Sequence, residues 1–200
     1  MIFGEKRSGP ILDDEGVHQR TDLQPDLNDP WWRFMIFDYK PHGYSFRDVM
    51  SFDRVEFDTH HDFIQWLFPN RVGSPVNPVA PLLTDKRVEL YWQLPGLRNA
   101  VGLAIAKMYE FLGFRETPTG FVREDDFEKG SQYWVCRVDH NHKRISRLLT
   151  FLCEMGERGK AVSLLAYLET ELAEADLLGI EAILYWRAIL AAPIEGAAEQ

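Results

Sequence analysis

From Leu97 onward, apolar residues recur at three- and four-residue intervals, which is the strongest constraint on what this chain can fold into. Val101, Ala104, Ile105, Met108, Tyr109, Phe111 and Leu112 keep that spacing, and Gly113 stands where a helix-ending glycine belongs. Ile145, Leu148, Leu149 and Leu152 predict a second helix from about His140 to Met155, stopped by Gly156. Ala161, Leu164, Leu165, Leu168 and Leu172 predict a third. Ile180, Ile183, Leu184, Trp186, Ile189 and Leu190 predict a fourth, ended by Pro193. No alternating strand pattern recurs and no repeat is visible. The expected class is therefore all-α: one compact domain of about six to eight helices with short antiparallel connections.

The first half is read from its punctuation. Residues 1–30 are polar and turn-rich and predict an N-terminal arm; the helical domain is expected over 31–193, with 194–200 as a tail. "WWRFMIFDY" is too apolar to leave in water, and its length fits a helix or a strand. Ser45 with Asp48 forms a capping pattern for a short helix, and Thr84 caps one that runs to about Leu94 and is closed by Pro95-Gly96. "NRVGSPVNPVAPLL" reads as an extended loop, and "REDDFEKGSQYWVCRVD" as an irregular charged connection. In "HHDFIQWLFPN", Thr59 is the expected N-cap. Phe63, Ile64, Trp66, Leu67 and Phe68 cover most of a short helix surface, so that helix should be buried nearly all round and end at Pro69.

Charge and cysteine usage narrow the function classes. Twenty-two basic against 31 acidic residues give a net charge of −9, which disfavours binding to phosphate backbones, so no nucleic-acid partner is expected. Two cysteines, Cys136 and Cys153, do not make a disulfide scaffold and fit a reducing cytoplasm. The N-terminus lacks a secretory apolar run and no segment is long enough to span a membrane, so a soluble, cytoplasmic protein is expected.

Two polar groupings are candidates for chemistry. His61 and Gln65 lie four apart at the edge of the apolar arc, while His60 points nearer its middle. They either contact a ligand, or pack and satisfy nearby backbone groups, with a metal as a third option. In "DHNHKRISRLL", His140, Arg144 and Arg147 share one helix stripe beside the apolar arc. Guanidinium groups there either grip carboxylates or phosphates, or form structural ion pairs with the abundant acids. His140 and His142 make an HxH pair whose rings diverge on a helix. With no Cys pairs and no HExxH, no metal and no cofactor is expected. Neither a glycine-rich phosphate loop nor a nucleophile elbow is present.

"HxxIQWLFP", supplied by His61, Ile64, Gln65, Trp66, Leu67, Phe68 and Pro69, resembles the signature of the opioid growth factor receptor conserved domain. The Pro41–Gly43 turn, Glu56, and Asn77 with Ala80 and Leu83 fit its context. "HNxxRISRLL", from His140 to Leu149, is similar to the family's second block and brings Asn141 among the candidates; "LLAYLETE" resembles its next helix. The resemblance spans about residues 31–175. It implies a domain of uncharacterised chemistry whose vertebrate member is described as a perinuclear receptor for the enkephalin peptide. Lack of a proline-rich repeat tail predicts a compact, microbial member.

Three functions follow as expectations. The first is a non-catalytic module binding a peptide or small anionic ligand through His61, Gln65, His140, Asn141, Arg144 and Arg147. The second is an enzyme with His61 or His140 as general base and Arg144 stabilising an anion. The third is a structural or partner-binding helical domain. Convergence of the candidate residues on one cavity would favour the first two.

Overall fold

The longest helix is built as its sequence dictates. Leu94 is extended, Pro95 occupies the first helical position where its missing N–H costs nothing, and the helix runs through Leu112. Gly113 then takes φ +92°, the left-handed conformation that stops it. Pro95 thus opens this helix as well as closing the one before it.

A computed structural model describes residues 24–193 and, among them, ten helices and one hairpin. These are α1 (Pro30–Ile36), α2 (Phe46–Ser51), α3 (Arg54–Thr59), α4 (Ile64–Leu67), α5 (Asp85–Gln93), α6 (Pro95–Leu112), β1 (Phe114–Thr117), β2 (Gly120–Arg123), α7 (Phe127–Ser131), α8 (Asn141–Glu154), α9 (Arg158–Glu174) and α10 (Glu181–Ala191). The fold is mostly helical, as the periodicity predicts. Most of the expected arm and the whole expected tail lie outside the described residues. The helix count exceeds six to eight because α3 and α7 are pieces of six and five residues with too little periodicity to read.

Local signals decide most boundaries. Asp29 accepts a hydrogen bond from the Trp32 N–H at 2.9 Å and Pro30 follows, so "WWRFMIF" starts as a helix. Ser45 and Asp48 form the full reciprocal capping box, as do Asp53 and Glu56. Thr84 caps α5 through the Arg87 N–H.

Two expectations needed correction. Thr59 does not cap the motif helix; it is the last residue of α3, and its hydroxyl donates back to the Val55 carbonyl at 2.8 Å. His60 is extended, so the chain breaks before re-forming as the single turn α4. The segment after Gly113 is also more ordered than expected. It pairs antiparallel from Phe114↔Arg123 to Thr117↔Gly120, and α7 follows.

The helices α8, α9 and α10 pack on one another, while α6 packs against α1, α5, α7 and β1. One hydrophobic core joins both groups. Three fully buried tryptophans tie it together through their indole N–H groups. Trp31 donates to the Trp66 carbonyl, Trp134 to the Leu112 carbonyl, and Trp186 to the Ser146 hydroxyl, at 2.9, 2.9 and 3.0 Å. A buried indole N–H is stabilised by such a partner, so each of these bonds also fixes how two segments meet.

Candidate functional site

The motif helix is buried as its composition requires: Phe63, Ile64, Trp66, Leu67 and Phe68 are all at most 5% exposed. What holds it is α8. Arg144, only 4% exposed, reaches from α8 to the end of α3. Its Nη1 donates to the Phe57 carbonyl at 2.6 Å. Its Nη2 donates to the Asp58 and His60 carbonyls at 3.0 and 2.8 Å, and meets His61 Nδ1 at 3.0 Å. The last carbonyls of a helix have no partner within it and carry its negative dipole end, so a guanidinium satisfies both needs there. The Phe57 and Phe63 rings flank the cation at 5.9 and 5.7 Å. Burial pulls the Arg144 pKa down to about 10, which leaves it a cation at neutral pH.

Arg147, one turn on, donates to the Phe68 carbonyl at 3.2 Å. Burial lowers its pKa as well. The arginine stripe therefore grips the backbone on both sides of the motif, before His61 and after Leu67.

The entrance of α8 adds a polar knot. Asn141, fully buried, donates through Nδ2 to Asp58 Oδ1 at 2.8 Å, and its backbone N–H reaches Asp139 Oδ1 at 2.7 Å. The His140 ring is more exposed; Nε2 lies 3.1 Å from Asp58 Oδ1 and Nδ1 lies 3.3 Å from Asp139 Oδ1. The His61 and His140 rings meet edge to face, with centroids 5.2 Å apart. Asp58 and Asp139, which the sequence reading passed over, thus hold the cluster. A signal existed, since both acids stand within three residues of a candidate histidine.

His61, His140, Asn141 and Arg144 come together through these contacts. Gln65 turns elsewhere. It is 7% exposed and its Oε1 lies 3.4 Å from Asn77 Nδ2, which also donates to the Asp62 carbonyl at 3.0 Å. Gln65 thereby anchors the loop that follows the motif. His60 packs as expected, its ring centroid 4.7 Å from Tyr44 and 5.2 Å from Phe52. His142 Nε2 donates to the Trp134 carbonyl at 2.8 Å and the ring faces Trp186, so it does not join His140. Among the described residues, no three His, Cys, Asp or Glu side chains converge as metal ligands would.

The protonation of His61 follows from its neighbour. A guanidinium has no acceptor, so His61 Nδ1 must offer its lone pair and the neutral ring carries its proton on Nε2. The exposed edge of His61 is then a hydrogen-bond donor. Burial first, then the charge of Arg144 and the neighbouring His140, hold its pKa below the ordinary 6.5. As pH falls, the unfolded chain takes up this proton before the folded one does. The contribution of His61 to stability is therefore whole above about pH 6.5 and is lost as pH falls through the lower folded value. Going from about pH 7.5 to about 5.5, the melting temperature should fall more in the parent than in His61→Gln. Thermal melts of the two proteins at both pH values check this; equal slopes would mean that His61 does not sit beside Arg144.

The architecture defines a class: a mostly helical domain in which one long helix clamps a short, buried motif helix by its backbone carbonyls. The chain belongs to the opioid growth factor receptor conserved-region family, whose pattern matches residues 33–188. It is 32% identical to the human opioid growth factor receptor over 151 residues, covering 71% of this chain and 22% of that protein. The rat receptor is 32% identical over 146 residues, covering 70% and 25%. The mouse opioid growth factor receptor-like protein 1 is 28% identical over 123 residues, covering 59% and 26%. The chain thus spans about a quarter of the length of these relatives. No solved structure matches it. Among the described residues, no helix is long and apolar enough to cross a membrane.

Proposed function

We propose that this domain is a non-catalytic binding module for a peptide or small anionic ligand, held at the face where His61 and His140 stand over Arg144. The observation that carries this reading is the state of His61: an exposed ring whose outward nitrogen is a donor, set on a buried cation. An anionic or carbonyl oxygen arriving there would meet a donor and a favourable field. In this reading His61 touches the ligand, and the His140 ring, both of whose nitrogens face carboxylates, packs edge to face beside it. Arg144, Arg147 and Gln65 hold the frame, because their polar groups already serve backbone or neighbouring side chains, and Asn141 joins them through the Nδ2 that donates to Asp58.

The enzyme reading has less support. A general base needs a free lone pair, and His61 gives its own to Arg144 while both His140 nitrogens face carboxylates. Neither cysteine is an activated thiol, since burial raises the pKa of both.

Relatives named as receptors for an opioid growth factor make an enkephalin peptide the first probe. Calorimetric titration should show saturable binding of the free-acid peptide and weaker binding of its C-terminal amide. His61→Ala should weaken free-acid binding at least about tenfold, the order of a charge-assisted hydrogen bond, in a protein whose circular dichroism still shows the folded domain. The reading fails if neither peptide form binds, or if His61→Ala binds as the parent does.

A further inference from the structure

The last two helices, α9 and α10, run antiparallel. Arg158 at the start of α9 donates to the Leu190 and Ala192 carbonyls at the end of α10, and Glu169 pairs with Arg187 at 2.6 Å. Val162, Ala166 and Ala173 lie one or two turns from Glu169 on the same stripe of α9, and all three are exposed. Leu184 and Ala191 lie one turn either side of Arg187, with Ala188 between them, and these are exposed as well. The Glu169–Arg187 pair thus marks a seam with an uncharged margin on each side, in a chain that is 26% charged.

Composition says that this side is covered. Of the 11 residues of α10 only Glu181 and Arg187 are charged. Ile183 and Trp186 are buried, but Leu184 and Tyr185 on the outer side stay 63% and 61% exposed. A helix apolar on nearly every side is ordinarily enclosed, and α10 is enclosed on one. Depletion of charge around an exposed leucine and an aromatic ring is the make-up of an interface core, and the alanines let another helix approach closely. The charges at the two ends say what the cover is. Glu181, the first residue of α10, is exposed and makes no ion pair among the described residues, and Asp176 lies in the turn at the same end. The opposite end carries Arg158, whose guanidinium keeps N–H groups beyond the two that serve Leu190 and Ala192. A two-fold axis between Leu184 and Ala188 lays one α10 antiparallel on another. It sets Leu184 against Ala188, and Glu181 of each copy beside the Leu190–Ala192 end of the other, where Arg158 sits. A second copy meets this alternation by symmetry alone.

We infer that the outer face of α9 and α10 is a homodimer interface, on which a second copy of this chain packs antiparallel about a two-fold axis near Leu184 and Ala188. Leu184 is its apolar anchor, and Glu181 with Arg158 of the other copy fixes the direction. A helix of the length of α9 spans about 25 Å, so the pair buries on the order of 1,000 Å², the size of a weak, reversible dimer. The face shares no residue with the His61 site and stands or falls independently of it.

The test is analytical ultracentrifugation of the full chain from low micromolar to near-millimolar concentration. It should show a reversible monomer–dimer equilibrium with a Kd on the order of 10 µM. Ala188→Glu and Leu184→Lys each place a charge at the centre of the face. Both positions are exposed in the monomer, so each variant should keep the parent's circular dichroism and sediment as a monomer throughout. Glu181→Arg should weaken the dimer about fivefold or more, because two symmetric ion pairs become repulsions. The inference is overturned by a parent that stays monomeric at every concentration, by growth beyond the dimer, by a dimer that survives in either folded central variant, or by an unchanged Kd in Glu181→Arg.

Discussion

Arg144→Ala is expected to destabilise the domain by about 3–5 kcal/mol, the cost of breaking a buried, charge-assisted network. Three backbone carbonyls, of Phe57, Asp58 and His60, lose their donor at once, and an apolar cavity replaces the guanidinium between two phenylalanine rings. At roughly 2–4 °C per kcal/mol for a chain of this size, the melting temperature should fall by about 6–20 °C. Arg144→Lys should recover little, since one ammonium cannot reproduce a planar fork that serves three carbonyls and an imidazole. Chemical denaturation of the three proteins measures this. A melting temperature unchanged in Arg144→Ala, with peptide binding lost, would make the arginine a ligand grip and not a clamp.

Gly130→Ala should be at least as severe. The backbone of α7 crosses the end of α6 at Gly130, and a Cβ there would lie 2.4 Å from the Gly113 nitrogen, 2.5 Å from its Cα and 2.6 Å from the Leu112 carbonyl carbon. All three are backbone atoms, so no rotamer change relieves the clash. Gly113 cannot yield easily either, because it holds φ +92° and its carbonyl accepts from the Glu124 N–H at 2.9 Å. Separating the two segments would also pull Trp134 from the Leu112 carbonyl. A loss of about 3 kcal/mol or more is expected, seen as failure to accumulate folded protein or as a melting temperature lowered by at least about 6 °C. Gly159→Ala, where a Cβ meets nothing within 4 Å, is the control and should melt close to the parent.

The sequence was most legible where a boundary depends on its own few residues. Ser45 with Asp48, Thr84, and Gly113 each act within one turn, and each does what its type predicts. The long helices were readable because α6, α8 and α9 run 18, 14 and 17 residues, long enough for the period to show. The hairpin was not. Its strands are four residues each, and only Phe114 is buried, so alternation had no room to appear.

Thr59 shows a different limit. It has the chemistry of an N-cap, but α3 already occupies it, and the break at His60 is stabilised by Arg144 from 84 positions away. The same distance explains the arginines. Spacing places Arg144 and Arg147 beside the apolar arc and offers a ligand anion or an acidic side chain as their partner. Their partners are main-chain carbonyls, which leave no trace in residue type. The pairing of the two motif blocks was visible only as a resemblance; the structure supplies its physical reason, a helix that holds another by its backbone.

Arg144 clamps this backbone and leaves His61 as an outward-facing donor. Long-range proton–nitrogen NMR correlation on the histidine rings at neutral pH reads that state directly. His61 should be neutral, with its proton on Nε2 and an acceptor-type Nδ1. A His61 protonated on Nδ1, or a doubly protonated ring at that pH, would contradict it.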